Sequence, residues 1–448
     1  MTRRPLGWAG IVRLGLVQSA LGAIVVLTTS TMNRVMVVEL ALPAMVPGLL
    51  VAVHYAVQVL RPRLGYGSDG GGRRTPWILG GMAVLAAGGI AAAVATAWMG
   101  TALLSGLVLA AIAFVLIGIG VGAAGTSLLV LLATHVDEPR RAAAATIVWV
   151  MMIAGFVVTA ALAGHFLDPF SPARLVTVSA WVAAAALLVA LLAVHGVEGS
   201  TGPRAPAERA VKPSFRVALR QVWSEAQARR FTVFVFVSML AYSAQDLILE
   251  PFAGTVFGFS PGESTKLTSI QHAGVLVGMI GAAVAGGAGR RYRLGSLRAW
   301  TIGGCIASAG ALLSIAAAGL VGDGWSLRTC VFALGAANGA FAVAAIGSMM
   351  SLAGNGTRAR EGVRMGLWGA AQAVAFGLGG FLGTAASDVA HALLGSPAMA
   401  YSVVFTGEAV LFLVAAVLAA RVSQQGAQCR EPRPLARDAA CIAKASRG

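Results

Sequence analysis

The chain has 448 residues, of which 58% are hydrophobic and only 11% are charged. Its mean hydropathy of +0.81 is higher than soluble domains show, so the composition indicates a polytopic membrane protein. The net charge of +16 is a feature of many nucleic-acid-binding proteins, but its distribution along the chain, described below, argues against that class. The four cysteines form no C-x-x-C pair and no metal-binding spacing, and we interpret them as reduced thiols. They are Cys305, Cys330, Cys429 and Cys441.

Apolar runs of about 20 residues recur along the chain, and each is long enough to cross a bilayer. The predicted spans are residues 11–32, 43–60, 77–98, 102–133, 142–165, 174–196, 230–252, 265–288, 298–320, 326–352, 365–387 and 398–420. The runs 102–133 and 326–352 exceed one crossing and must tilt or project beyond the membrane. The sequence therefore predicts an all-α membrane protein with twelve transmembrane helices.

The basic residues lie mainly on one side of these spans. When the amino terminus is placed in the cytoplasm, four of the 33 Lys and Arg residues face outward and the other 29 face the cytoplasm. The four are Arg34, Arg174, Lys266 and Arg328. This asymmetry follows the positive-inside rule and predicts that both termini are cytoplasmic. We interpret the positive charge as a topology signal and a contact for anionic lipid, not as a nucleic-acid site.

A glycine-rich turn joins the second and third predicted spans. It reads G-x-x-x-D-x-x-G-R-R, with its fixed positions at Gly65, Asp69, Gly72, Arg73 and Arg74. Its carboxylate and guanidinium groups can pair with each other or with helix termini. A plain solvated loop is the alternative interpretation. The pattern resembles the signature between the second and third helices of the major facilitator superfamily, where this loop acts as a conformational latch.

The two halves of the chain repeat. Asn33 to Glu39 follows the first span, and Gln245 to Glu250 follows the seventh at the corresponding place. Such a repeat fits two pseudo-symmetric six-helix halves with a substrate site between them. The predicted organisation is an N-terminal half (1–196), a cytoplasmic linker (197–229), a C-terminal half (230–421) and a disordered cytoplasmic tail (422–448). Within the linker, apolar residues at helical spacing from Ser214 to Ala226 predict an amphipathic helix on the membrane surface or a partner-docking helix.

Ionisable residues near apolar spans are costly, which makes them functional candidates. Arg34 and Glu39 stand at the end of the first span, and Asp246 and Glu250 stand at the corresponding end of the seventh, on one helix face. In a proton-coupled carrier, a desolvated carboxylate would be the proton site. In a pigment protein, a carboxylate paired with an arginine can ligate magnesium. The structural alternative is that Arg34 and Glu39 pair to hold two helices, with Asp246 and Glu250 at the water interface.

Two histidines within the spans are further candidates. His54 lies in the second span with Gln58 one turn later, and His272 lies in the eighth span beside Gln271. A neutral imidazole is a suitable axial ligand for a magnesium tetrapyrrole. The alternative is a helix-to-helix hydrogen bond at each histidine. Glu408, in the twelfth span, is a buried charge that needs a partner or a proton.

Two segments resemble a narrower family. Asn33 to Ala44 and Gln245 to Thr265 are similar to segments of the PucC family, also called the bacteriochlorophyll delivery family of phototrophic bacteria. The resemblance covers nearly the whole chain. The compact turn between Arg61 and Pro76 resembles the branch whose members are called a bacteriochlorophyll synthase chain. The sequence has no prenyltransferase-like aspartate motif (N-D-x-x-D or D-D-x-x-D), so we expect a protein that accompanies the synthase and is not itself an enzyme.

The resemblance implies a protein of the bacterial inner membrane that binds bacteriochlorophyll or a late precursor and delivers it from its synthase to light-harvesting or reaction-centre apoproteins. The expected partners are the synthase, these apoproteins and membrane lipids, with no nucleic acid. The candidate pigment-binding residues are His54, Glu39, Arg34, Glu250, Asp246 and His272, with magnesium held only within the pigment. The alternatives are a proton-coupled transporter of a small solute and a non-transporting assembly scaffold.

Overall fold

The computed structural model describes residues 6–58, 73–137, 140–198, 223–287, 296–322, 325–354 and 361–428. These residues form the helices α1 (Trp8–Glu39), α2 (Met45–Val57), α3 (Thr75–Met99), α4 (Leu103–His135), α5 (Arg141–Phe166), α6 (Pro172–Val194), α7 (Ala226–Phe257), α8 (Pro261–Gly287), α9 (Leu297–Val321), α10 (Leu327–Gly354), α11 (Glu361–Leu394) and α12 (Pro397–Gln428). Each predicted span is confirmed by one of these helices. Eleven are long and apolar enough to cross a bilayer, and α2 is a shorter apolar helix whose predicted span continues into residues outside the described ranges.

Several helix ends differ from the predicted ones, and three of these differences bear on the predicted organisation of the chain. Helix α1 continues through two π-helical turns to Glu39, because the polar residues near its end are buried against the second half and do not stop the helix. Helix α7 begins at Ala226, inside the predicted linker. Helix α12 reaches Gln428, so the predicted tail begins as helix. Most of the predicted amphipathic helix lies in residues 199–222, outside the described residues, as does the tail beyond 428.

The packing of the first six helices recurs in the last six. In the first set, α1 packs on α5 and α6, α3 packs on α4 and α6, and α2 packs on α4. In the second set, α7 packs on α11 and α12, α9 packs on α10 and α12, and α8 packs on α10. The two sets meet where α5 packs on α8, α2 packs on α11 and α1 packs on α7. The contact surface between the sets is therefore built mainly from repeat-related pairs of helices.

The two sets have different cores. The first core is almost entirely aliphatic, with Phe114 as its one buried aromatic residue among the described residues. The second core contains a buried aromatic network: Phe231, Phe234, Phe252, Phe341, Trp368, Tyr401, Phe405 and Phe412. Glycines bring helices close in both, since a Cβ at Gly81 would lie 2.6 Å from the Ala124 nitrogen and one at Gly278 would lie 2.0 Å from the Ala336 oxygen. Close backbone approach of this kind is how membrane helices gain contact without a hydrophobic driving force between them.

Two of the four cysteines lie in the described residues. Cys305 is buried in α9 and Cys330 lies in α10, and both are free thiols, which confirms the prediction for this pair. Cys429 and Cys441 lie outside the described residues.

Candidate functional site

The last third of α1 lies between the two sets of helices. We call this end of the bundle, where α1 ends and α2 begins, the outer end, and we call the opposite end the inner end. Ser30 and Thr31 are buried and face α8, where Ser30 shares a 3.4 Å hydrogen bond with Thr268 and Thr31 shares a 3.0 Å hydrogen bond with Thr265. Hydroxyl pairs of this kind satisfy polar groups inside a helix bundle and fix the lateral position of one helix against another.

The two repeated sequence segments meet directly. Asn33 of the first segment is fully buried, and its side-chain nitrogen donates to the main-chain oxygen of Leu247 in the second segment at 2.5 Å. This bond joins α1 to α7, the first helices of the two repeats. The repeat recognised in the sequence therefore forms a single polar cluster between the sets, which includes Arg34, Asp246, Glu250, Thr268, Gln271 and His272.

Arg34 is the central cation of this cluster. Its side chain is 2% exposed, and one terminal nitrogen forms an ion pair with Glu39, five residues later on the same helix. The other donates to the main-chain oxygen of Phe259, between α7 and α8, at 2.5 Å. Gly254 leaves room for the guanidinium, because a Cβ there would lie 2.9 Å from it. The predicted Arg34–Glu39 ion pair exists, but both residues belong to α1, so the pair does not join two helices. Arg34 contacts the second set through its hydrogen bond to the Phe259 oxygen.

The two carboxylates of α7 both face α8. Thr268 donates a hydrogen bond to one oxygen of Glu250, and Gln271 donates to Asp246 at 3.3 Å. Glu250 is 1% exposed, and its other oxygen has no hydrogen-bond partner among the described residues. Asp246 is half-buried. The alternative that placed both carboxylates at the water interface is therefore wrong for Glu250, because α8 and the end of α1 cover it.

His272 presents a ring that is suited to ligation. It is buried, its Nδ1 donates to the main-chain oxygen of Thr268 at 2.9 Å, and Phe156 of α5 packs edge-on against it. A carbonyl oxygen only accepts, so the neutral ring carries its proton on Nδ1 and its lone pair on Nε2. This is the arrangement in which a second partner orients an imidazole for a metal centre. No group of three His, Cys, Asp or Glu residues within the described ranges is arranged to hold a metal ion by itself.

His54 has a different setting. It is buried in α2, where the Gln58 side-chain amide donates to its Nε2 at 2.7 Å and Tyr55 packs edge-on against the ring. The hydrogen bond that the structure describes for this ring is therefore internal to α2. Of the two candidate histidines, the structure places His272 in the cluster and gives His54 a partner from its own helix.

Glu408 lies in the interior of the second set. It is 3% exposed, and neither carboxylate oxygen has a hydrogen-bond partner among the described residues. A carboxylate that is buried without a partner is costly, which leaves Glu408 a candidate to carry a proton.

Three aromatic rings that the sequence analysis did not predict as site residues lie about one helical turn from Asp246, toward the inner end: Tyr55, Tyr242 and Phe376. Phe376 of α11 packs against Tyr55 of α2 with ring centroids 5.4 Å apart and against Tyr242 of α7 at 5.8 Å. The rings therefore join the two sets, and both tyrosines are half-buried. Tyr242 precedes Asp246 by four residues, so helical spacing was the one signal in the sequence that could have found it.

The predicted latch is only partly described. Gly65, Asp69 and Gly72 lie outside the described residues, whereas Arg73 is exposed and Arg74 is half-buried immediately before α3.

A carboxylate that the sequence did not predict sits at the start of α3. Glu198, which follows α6, accepts from the main-chain nitrogens of Arg74 and Thr75 at 2.6 and 2.8 Å and from the Thr75 hydroxyl at 2.7 Å. Burial acts to raise the pKa of Glu198, but these hydrogen bonds outweigh it and the pKa is lowered. Glu198 therefore caps α3 as an anion.

Comparison with known proteins gives a consistent result. The family model described as "PUCC protein" matches residues 31–427. The "Bacteriochlorophyll synthase 44.5 kDa chain" of Rhodobacter capsulatus is 51% identical over 96% of this chain and 99% of its own length. The "Protein PucC" of the same species is 30% identical over 93% of this chain and 92% of its own length. The higher identity to the first relative agrees with the branch suggested by the compact turn.

The solved structures that it resembles are transporters. A bacterial homologue of the human lysosomal transporter Spinster, in an inward-facing and unoccupied conformation, superposes with a TM-score of 0.67 at 16% identity, covering 95% of this chain and 98% of that one. A bacterial homologue of the human drug peptide transporters PepT1 and PepT2 gives 0.67 at 15%, covering 94% and 99%. At these identities the likeness establishes the fold, which is that of the major facilitator superfamily. The chain is a multi-pass membrane protein, and an inner-membrane location is consistent with its relatives.

Proposed function

The chain belongs to the PUCC protein family and is a pigment-related membrane protein, and on that premise we propose that it binds bacteriochlorophyll or a late precursor in the polar cluster between its two sets of helices. This family and this fold are consistent with a protein that is not an enzyme. The single observation that carries the proposal is a buried site that combines the oriented imidazole of His272 with the carboxylate of Glu250. This site lies in a protein that is related by sequence to a bacteriochlorophyll synthase chain.

The residues of the cluster fit such a ligand. The lone pair on His272 Nε2 is directed away from its own helix backbone, because Nδ1 is already bonded to Thr268. In this proposal His272 would hold the magnesium of the pigment through the lone pair of its neutral ring. Gln271, next to His272 in α8, and its partner Asp246 of α7 would receive the polar groups at the edge of the macrocycle. The rings of Tyr242, one turn before Asp246, and Phe376 supply aromatic surface on which part of the macrocycle could pack.

His54 is the weaker candidate for the same role. Its Nε2 accepts from Gln58, so ligation at that nitrogen would first have to break a hydrogen bond of 2.7 Å. In our proposal His54 positions Tyr55, against which it packs, and does not contact the magnesium.

The proposal includes delivery. One relative carries the name of a bacteriochlorophyll synthase chain, which supports an association between this protein and that synthase. We propose that the protein receives pigment from the synthase and passes it to light-harvesting or reaction-centre apoproteins. Exchange would occur at the surface between the two sets of helices, where the cluster lies.

An absorption spectrum tests the binding step. The protein is purified in mild detergent from a pigment-producing host, beside the variants His272→Ala and His391→Ala. His391 is a matched control, because its Nδ1 also donates to the main-chain oxygen four residues earlier, at 2.8 Å, but it lies outside the cluster, against Tyr401. We expect a red-shifted pigment band near one equivalent that His272→Ala abolishes and His391→Ala leaves unchanged. A wild-type protein without pigment would contradict the proposal.

A proton-coupled transporter of a small solute is the second candidate function. The observation that favours it is Glu408, which is buried with no hydrogen-bond partner among the described residues. This alternative predicts solute uptake driven by a pH gradient, lost in Glu408→Gln, in a protein that carries no pigment. A colourless protein with no such uptake, but with synthase or apoproteins copurifying, would instead support a static scaffold.

A further inference from the structure

A carboxylate of the second set caps a helix of the first. Asp388, near the end of α11, accepts from the main-chain nitrogens of Ala44 and Met45, both at 2.8 Å, one with each carboxylate oxygen. These nitrogens open α2, and the first nitrogens of a helix have no partner within it. An anion there also interacts favourably with the helix dipole. The start of α2 thus obtains its cap from the opposite set of helices.

A carboxylate of the first set also bonds to the start of a helix of the second, but through side chains. Asp168, which follows α5, accepts from the Ser260 hydroxyl at 2.8 Å, immediately before α8, and lies 3.8 Å from the Lys266 ammonium. Gly262, in the first turn of α8, makes this possible, because a Cβ there would lie 2.3 Å from the Asp168 carboxylate. Gly164 of α5 lets the backbones of α5 and α8 approach each other closely, because a Cβ added at Gly164 would lie 2.7 Å from the main-chain oxygen of Gly262.

The two contacts are related by the repeat. Asp168 and Asp388 are 220 positions apart (388 minus 168), and they act on α8 and α2, which are themselves counterparts. One joins α5 to α8 and the other joins α11 to α2, so they lie on the two opposite sides of the interface. A pair placed in this way resists separation of the sets on both sides at once.

All side-chain hydrogen bonds and ion pairs described between the two sets lie in the outer half of the bundle. They involve the end of α1, the starts of α2 and α8, and the ends of α5, α7 and α11. In the inner half, the contact described between the sets is apolar, as where Ile153 packs with Val275 and Met279. An apolar helix surface in a membrane can contact lipid about as favourably as another helix. Polar bonds between the sets therefore contribute more than apolar contacts to holding one end of the interface closed.

We propose that Asp168 and Asp388 are paired clasps that hold the outer ends of the two sets together, and that releasing both exposes the polar cluster from the outer end. This inference is independent of the proposed function, because it concerns the protein in every ligand state. The inference predicts that either clasp alone holds the outer ends together only in part, because each clasp acts on its own side of the interface.

Thiol labelling tests the clasps. Thr265 is 1% exposed, faces Thr31 across the interface, and becomes the reporter in Thr265→Cys. The reporter is placed in a background in which the native cysteines are serine: Cys305, Cys330, Cys429 and Cys441. The rate of modification by a charged maleimide is measured in detergent with the original aspartates and with Asp168→Asn and Asp388→Asn, singly and together. Asparagine keeps the size of the side chain. At Asp388, where both oxygens accept, it turns an amide N–H₂ toward a main-chain N–H. At Asp168 it removes the charge that faces the Lys266 ammonium, although its oxygen can still accept from Ser260.

We expect the double variant to be labelled at least about tenfold faster, because membrane side-chain bonds of roughly 1 kcal/mol each add to more than a tenfold shift when both clasps are lost. Each single variant should give a smaller increase. Glu263→Gln is the matched control, because Glu263 also caps the start of α8, through the Ser260 nitrogen at 2.9 Å, but lies on the same helix and joins no second set. Its labelling rate should equal that of the parent.

Two outcomes would overturn the proposal. One is a folded double variant, eluting as a single peak, whose labelling rate stays at the parent level. The other is an increase of the same size in Glu263→Gln. If the double variant does not fold, Ala44→Pro serves instead, because it removes one donor to Asp388 and suits the φ of −63° at this residue. Unchanged labelling in a folded Ala44→Pro combined with Asp168→Asn would then count against the clasps.

Discussion

Among the described residues, the side-chain bonds at the two ends of the bundle differ in what they join. At the outer end, Arg34, Asp168 and Asp388 bond from one set of helices to the other. At the inner end, Arg13 donates to the main-chain oxygen of Ala193 at 3.0 Å and Arg298 donates to that of Ala420 at 3.2 Å, each within its own set. The bonds described at the inner end therefore stabilise each set by itself, whereas those at the outer end hold the two sets together.

Replacing Arg34 should have the largest effect. In Arg34→Ala, the buried Glu250 and the Glu39 carboxylate, which is 36% exposed, lose their neighbouring cation, and the Phe259 oxygen loses a donor. Loss of one member of a buried charge pair costs about 3 kcal/mol of unfolding free energy. Arg13→Ala, the inner-end counterpart, removes bonds to main-chain oxygens only and should cost about 1 kcal/mol. Denaturant unfolding in detergent measures both.

Arg34→Lys refines this test. Lysine keeps the charge but has no planar fork to reach Glu39 and the Phe259 oxygen together, so its stability should lie between those of the parent and Arg34→Ala. Equal losses in Arg34→Ala and Arg13→Ala would remove the distinction between the two ends.

Replacing a glycine by alanine should give the next largest change in stability. Whether the change is a loss or a gain depends on the space around that glycine. In Gly254→Ala the new methyl group meets the Arg34 guanidinium at 2.9 Å and should destabilise the protein by about 1–2 kcal/mol. Gly303 in α9 has no atom within 4 Å of such a Cβ, so Gly303→Ala should gain up to about 1 kcal/mol from the better helix propensity of alanine. Thermal unfolding of the two variants should shift in opposite directions. A gain in Gly254→Ala would show that Arg34 is not confined there.

The smallest effect is expected at the inner end, where Glu198 caps α3 within the first set. Because its pKa is lowered in the folded protein, the carboxylate contributes stability that is present above its ordinary pKa and is lost as the pH falls through the folded value. The parent should therefore melt above Glu198→Gln at pH 7, and the gap should narrow as the pH falls below about 4.5. Melting curves from pH 7 to 3.5 test this. A gap that is constant with pH would mean that the carboxylate charge does not act there.

The candidate site was foreseen in part. Asp246 and Glu250 were expected on one helix face, and both do face α8, because the interval of four residues fixes this within a single helix. The partners Thr268 and Gln271 lie on another helix, and no local pattern identifies them. The same holds for Asp168 and Asp388. Asp388 lies 344 positions from Ala44 and looks like any other polar residue near the end of a span.

The sequence by itself determined that this is a helical membrane protein built from a repeated six-helix unit, because the length of an apolar run and the need to satisfy every backbone group in lipid leave few other structures. It also determined the family, through the segments that begin at Asn33 and Gln245. Only the tertiary structure decided that these two segments bond to each other, that His272 rather than His54 lies in the cluster, that Asp388 caps α2 of the opposite set and that Asp168 bonds to Ser260 before α8. Those facts depend on which side chains meet across helix surfaces, and packing of distant segments, not local spacing, sets that.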